Sequence, residues 1–114
     1  MLIRNITRST ELARSASEAK SFIDRLKGLI GKKHFKKGEA LIFRNCPSVH
    51  TFGMRFPIDL LFADKHLKIL MSIHDLRPYA FSPLVVRASF TIELPAGTLI
   101  ESRTQVGDDL ALIR

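Results

Sequence analysis

The sequence predicts an α+β fold: a β-rich, mostly antiparallel sheet curled into a small barrel, with one main helix packed on it. Apolar residues recur at helical spacing in one clear stretch, residues 16 to 30. From residue 39 onward the period shortens to two, the repeat of a pleated strand. The strand-like runs also follow one another across short turns, without helices between them, which favours antiparallel pairing.

Taken in order, "MLIRNIT" and "ELARSA" read as short strands around the turn-prone "RST". In the helix, Ala16, Ala19, Phe22, Ile23, Leu26, Leu29 and Ile30 form one apolar stripe. Ser15 and Glu18 have the spacing of a capping box, and Gly28 and Gly31 offer stops. "EALIF" (39–43) is a short buried strand. His50, Phe52, Met54, Phe56, Ile58, Leu60 and Phe62 then alternate with other residues, which turns the even-numbered side toward the core. Gly53 and Pro57 break this run into two pieces at a bend, because proline gives the ladder no N–H. "LKILMSIHDL" (67–76) returns as the partner strand after the turn "ADKH", and "RPYAFSPLVV" (77–86) is a loop. "ASFTIEL" (88–94) is another strand. Thr98 and Glu101 suggest a capped helical turn before "LALI" closes the chain. Gly97 and Gly107 stand where turns need a residue tolerant of positive φ.

The 114 residues, 46% apolar and 25% charged, suit a single domain spanning 1–114 and large enough to bury a core without cross-links. One cysteine excludes an internal disulfide. The N-terminal residues do not read as a signal peptide, and no run approaches the roughly 20 apolar residues that span a bilayer. The expectation is a cytoplasmic protein without a membrane partner. The net charge of +7 is uneven: Arg25, Lys27, Lys32, Lys33, Lys36 and Lys37 fall in one stretch without an acid. That block is either a solvated helix end or a surface for phosphates. It contains one aromatic residue, Phe35, and so lacks the aromatic platform of single-strand binders; nucleic acid is an alternative partner rather than the favoured one.

The chemistry-bearing residues gather in "CPSVHTFGMRFPIDLLFAD" (46–64). Cys46 and His50 stand four apart, but a structural metal site needs four ligands and the other histidines are scattered, so no metal or other cofactor is expected. As nucleophile and base they would need direct contact, whereas four residues of extended chain separate Cα atoms by about 13 Å. Asp59 lies between Ile58 and Leu60, where a carboxylate must find partners. Arg55 and Arg87 are candidates, as are backbone N–H groups near the bend. No complete phosphate-binding loop, dinucleotide fingerprint, zinc-protease motif or nucleophile elbow is present.

Together "RLKGLIGKK", "GEALIF", "C-x-S-V-H-T-F-G-M-x-F-P-I-D-x-x-F-x-D", "I-E-L-P-A-G" and "VGDD" resemble, in that order, a prokaryotic family catalogued as domain-of-unknown-function family 192. The resemblance spans roughly residues 10 to 112, and the long central motif makes it specific. It implies a β-rich single domain and no established activity. The positions it carries over are Cys46, His50, Thr51, Met54, Pro57, Asp59, Phe62, Glu93, Leu94, Ala96, Gly97, Gly107 and Asp108. One departure is Ile30, where the usual helix end has methionine.

These readings converge on a non-enzymatic binding or accessory module for a small molecule or a peptide. Its ligand site would draw on Cys46, His50, Met54, Asp59, Glu93 and Asp108, with the three acids around one opening, and no residue is assigned a catalytic role. The alternatives are a thiol enzyme using Cys46 and His50, or nucleic-acid binding through residues 25–37.

Overall fold

The computed structural model describes residues 1–19 and 34–114. Strands β1 (Leu2–Asn5) and β2 (Thr10–Ala13) form the expected N-terminal hairpin, and β8 (Leu110–Ile113) pairs with the other edge of β1. A second sheet is built from β3 (Ser15–Glu18), β4 (Glu39–Arg44), β5 (Ile58–Ala63), β6 (Ile69–Leu76) and β7 (Phe90–Pro95), in the order β3-β4-β7-β5-β6. Its pairings are antiparallel except β3 with β4, which is parallel. A short helix, α1 (Thr98–Glu101), follows β7.

No closed barrel is found among the described residues. Two sheets face each other and are stitched at both margins by a few bonds. At one margin the Ala16 N–H donates to the Met1 carbonyl at 2.8 Å. At the other, Lys68 bridges Asp109, and the Leu110 N–H reaches the Leu67 carbonyl at 2.9 Å.

The main helix expected from residue 16 does not begin there. Ser15–Glu18 is strand: Ala16 is buried, Ser15 and Ser17 are exposed, and the Ala19 N–H donates to the Ile42 carbonyl at 2.9 Å. Four residues with one buried alanine fit either period, and pairing with β4 decides between them. Glu18 is no cap; its carboxylate pairs with Arg44 at 2.7 Å. The remainder of that helix, from residue 20 to 30, lies outside the described residues.

Between the two sheets lies one apolar cluster that includes Ile3, Ile42, Leu61, Ile92, Leu94, Leu99 and Leu110. The opposite face of the larger sheet carries a second, with Met54, Ile58, Leu60, Phe62 and Ala88 at its centre. The loops 46–57 and 77–88 contribute Val49, Phe56 and Val85 to it. Both faces of β5 and β7 are therefore buried along their whole length. This corrects the expected alternation over residues 50–62. Only Ile58–Ala63 is strand, its odd-numbered side is as buried as its even one, and His50 and Phe52 are exposed.

Candidate functional site

Asp59 is the second residue of β5, with 1% of its surface exposed. Its Oδ2 accepts the N–H groups of Gly97 at 3.1 Å and Leu99 at 2.9 Å, at the start of α1. A helix start leaves free N–H groups that the residue before it usually satisfies. Here that residue is Gly97, which has no side chain and adopts φ 96°, so the acceptor comes from a neighbouring strand. The expected Thr98–Glu101 capping box is absent; the Glu101 carboxylate pairs instead with Lys37 at 2.6 Å.

The other oxygen of Asp59 serves β6. Ile58 pairs with Leu76 and Leu60 with Ile73, so β6 carries one extra residue opposite Asp59. Asp75 takes up that bulge at φ 57°, and its N–H reaches Asp59 Oδ1 at 2.9 Å. One carboxylate thus satisfies three backbone donors from two elements. Neither Arg55 nor Arg87 forms an ion pair with Asp59. Of the partners considered from sequence, backbone N–H groups are the ones found, though they come from β6 and the α1 turn rather than from the bend after Pro57.

Glu93 lies on the adjacent strand and has a different environment. It pairs across β7 with Leu41 of β4 and Leu60 of β5, so its side chain shares their face, that of the second cluster. Asp59 pairs with Leu94, which belongs to the cluster between the sheets. The two acids therefore point to opposite sides of the same sheet. Glu93 is 3% exposed, and its Oε1 is buried without a hydrogen-bond partner among the described residues. Loss of hydration pushes its carboxyl up to about 8. Two residues along the same strand face, Pro95 helps to line a cleft of about 370 Å³ with His34, Phe35, Lys36, Phe56, Pro57 and Ala96. The Phe35 and Phe56 rings, 6.1 Å apart, wall this cleft and pack on the cluster that contains Leu41 and Leu60.

Asp108 belongs to a third place. Its Oδ2 accepts from Asn5 Nδ2 at 3.0 Å, Arg8 Nε at 3.0 Å and the Gln105 N–H at 2.9 Å. Burial works to raise its carboxyl, but the bonds from Arg8, Asn5 and Gln105 outweigh it and hold the group below its usual range. With Ser102 and Thr104 this network ties the β1–β2 turn to the segment before β8. The three acids expected around one opening are thus dispersed: Asp59 and Glu93 on opposite faces, and Asp108 beside the first hairpin.

Met54 is buried in the second cluster, on the Glu93 face. The Cys46 thiol is partly exposed and donates to the Ser48 carbonyl at 3.2 Å. His50 is exposed, and its Nδ1 accepts the Phe52 N–H at 3.3 Å. No hydrogen bond joins Cys46 to His50. Of the basic stretch, Lys36 and Lys37 are described and the other four cations lie outside the described residues. No cluster of metal-ligating side chains occurs among the described residues, and no described helix is long and apolar enough to cross a membrane.

Sequence reading missed Phe35, Phe56 and Pro95 as walls of a cleft, and Asn5 and Arg8 as partners of Asp108. Nothing local marks these pairings, which join residues far apart in the chain. Glu93 did carry a signal: it is the one acid in "FTIEL".

The chain belongs to the family DUF192, described as "Uncharacterized ACR", whose model matches residues 4–112. No curated protein matches the sequence. Two crystal structures share the fold. A protein of unknown function from Novosphingobium aromaticivorans is 17% identical with a TM-score of 0.82, over 97% of this chain and 82% of its own. A "putative transcription regulator" from Sinorhizobium meliloti is 20% identical with a TM-score of 0.83, over 96% of this chain and 89% of its own.

Proposed function

We propose that this DUF192 protein is a non-catalytic binding module that holds a small ligand or a peptide segment against the Glu93 face of the larger sheet. The observation that carries the reading is the buried Glu93 oxygen without a partner among the described residues, two residues along the strand from Pro95, which lines a cleft with aromatic walls. Buried polar groups are almost always hydrogen-bonded, so an orphan in an otherwise apolar layer marks a place where a donor from outside is accommodated. The chemistry of the walls defines what fits: an apolar body for Phe35, Phe56 and Pro95, and an N–H donor for the carboxyl. An amine would also displace the proton that burial favours on Glu93, so its binding would release protons near neutral pH.

The alternative thiol enzyme draws less support, because the thiol and the imidazole each have a separate local partner. A nucleophile needs a base within hydrogen-bond reach.

The test is a thermal-shift screen of apolar amines and amides, repeated on Glu93→Gln and Phe56→Ala. We expect at least one compound to raise the wild-type unfolding midpoint, with the rise lost in both variants. A full rise retained in Glu93→Gln, or no rise with any amine or amide, removes the proposal and leaves Glu93 as a carboxyl kept neutral in the core.

A further inference from the structure

Residues 47–51 and 79–85 run antiparallel across the outer side of the second cluster. The Thr51 N–H donates to the Ala80 carbonyl at 2.9 Å, Ser82 N–H to Val49 at 2.8 Å and Val85 N–H to Pro47 at 2.8 Å. Inside this ribbon, Thr51 is fully buried and its hydroxyl donates to the Arg77 carbonyl at 2.7 Å, while Val49 and Val85 pack on the cluster beneath. These anchors fix what the ribbon presents outward.

Four rings are presented. Phe52 stands at their centre: 5.4 Å from His50, 6.2 Å from Tyr79 in a stacked arrangement, and 4.8 Å from Phe81 edge to face. Tyr79 and Phe81 remain 69% and 70% exposed, and Phe52 40%. The rings therefore hold one another in place without being covered. Burying such groups is the ordinary outcome of folding, and a contiguous exposed aromatic cluster marks a contact surface.

Charge narrows the occupant. The chain carries +7, and most of its described acids are already engaged: Glu11, Glu18, Glu101, Asp108 and Asp109 in ion pairs, and Glu39, Asp59 and Asp64 on backbone N–H groups. The exceptions among the described residues are Asp75 and the buried Glu93. Arg55 and Arg77, beside the rings in sequence, are exposed and form no ion pair among the described residues. Asp75 is the one surface acid close in sequence to Arg77.

We propose that His50, Phe52, Tyr79 and Phe81 form a stacking platform for single-stranded nucleic acid, with Arg55 and Arg77 meeting its phosphates. Flat bases match rings set on a hydrogen-bonded ribbon, and cations without ion-pair partners among the described residues match a polyanion. These residues are other than those of the basic segment 25–37, whose one aromatic residue is Phe35, and the proposal does not depend on the Glu93 site. A bilayer would instead take the aliphatic Leu84 and Val86, exposed on the same loop.

Tyr79 is the only tyrosine and the chain has no tryptophan, so intrinsic fluorescence reports on this platform alone. Titrating an oligothymidylate of about 12 nucleotides, within the range of single-strand site sizes, should quench that emission and raise the anisotropy of the labelled strand together. Phe81→Ala should weaken binding about 5- to 100-fold. The double variant Arg55→Gln, Arg77→Gln should reduce the salt slope of log K by about 1.4. These side chains are exposed, so circular dichroism should show unchanged folding; should a variant misfold, quenching in the unaltered protein decides. The proposal is overturned by binding without quenching, by equal affinity for duplex DNA of the same length, or by unchanged affinity in Phe81→Ala. Binding to phosphatidylserine vesicles without binding the oligonucleotide, or a dimer that covers the rings, overturns it as well.

Discussion

Asp59 and Glu93 stand on neighbouring strands, one residue out of register with each other, and are equally hidden from water at 1% and 3% exposure. Their fates differ because the sheet turns them to opposite sides. Asp59 meets the start of a helix and a bulge, both rich in free N–H groups, and accepts three of them. Glu93 meets leucines, and one of its oxygens accepts nothing. Burial alone thus says little about what an acid does. A carboxylate with its donors in place is part of the scaffold; one without them is a place where the scaffold has left a bond unmade.

The largest expected effect comes from removing the satisfied acid. Asp59→Ala leaves three backbone donors without their acceptor, Leu99 buried and Asp75 and Gly97 in partly buried bonds, and should cost about 3–5 kcal/mol of stability in urea unfolding. A loss below about 1 kcal/mol would break the contrast, since Asp59 would then be no better integrated than Glu93.

Glu93→Leu should act in the opposite direction and gain about 1–3 kcal/mol at pH 8, because an apolar side chain suits this face better than an unpaired carboxyl. The pH dependence sharpens the point. Folding raises the Glu93 carboxyl from an ordinary 4.5 to about 8, so the folded state holds a proton that the unfolded chain has released. Its contribution is full below about pH 4.5 and is lost as pH rises through about 8, with a slope approaching about 1.4 kcal/mol per pH unit between those limits. Urea unfolding of the wild type from pH 5 to 9 should show this decline, and Glu93→Gln should flatten it. A parallel decline in Glu93→Gln would place the titrating group elsewhere.

Asp108 lies between the two extremes, with its partners shared between side chains and backbone. Arg8→Ala removes one of its donors and leaves Asn5 and Gln105 in place. The expected loss is about 1 kcal/mol, the size of a single partly exposed charged hydrogen bond. A loss as large as that of Asp59→Ala would show that Arg8 holds the hairpin rather than assists it.

The strand content was legible because period-two runs such as "EALIF" and "ASFTIEL" carry it locally. The two-faced burial of β5 was not. "PIDLLFAD" reads the same whether one or both sides are covered, since what covers the second side arrives from loops 46–57 and 77–88. Glu93 was legible as an acid inside an apolar run, but its unmade bond depends on the face it shares with Leu41 and Leu60. Cys46 and His50 drew notice by type alone, and separate local partners take up both. The cluster of Phe52, Tyr79 and Phe81 was invisible, because its rings come from two segments that meet only through the ribbon's hydrogen bonds.

By itself the sequence determined the β-rich class, most strand positions, the glycine turns at Gly97 and Gly107 and the family, since each rests on spacing or residue type along the chain. Only tertiary structure decided that Ser15–Glu18 is strand, that the described strands divide into two sheets, and that Asp59 caps a helix from another strand. The reason is physical: pairing, burial and hydrogen-bond satisfaction are properties of neighbours in space, and in a sheet of mixed strand order those neighbours are seldom neighbours in sequence.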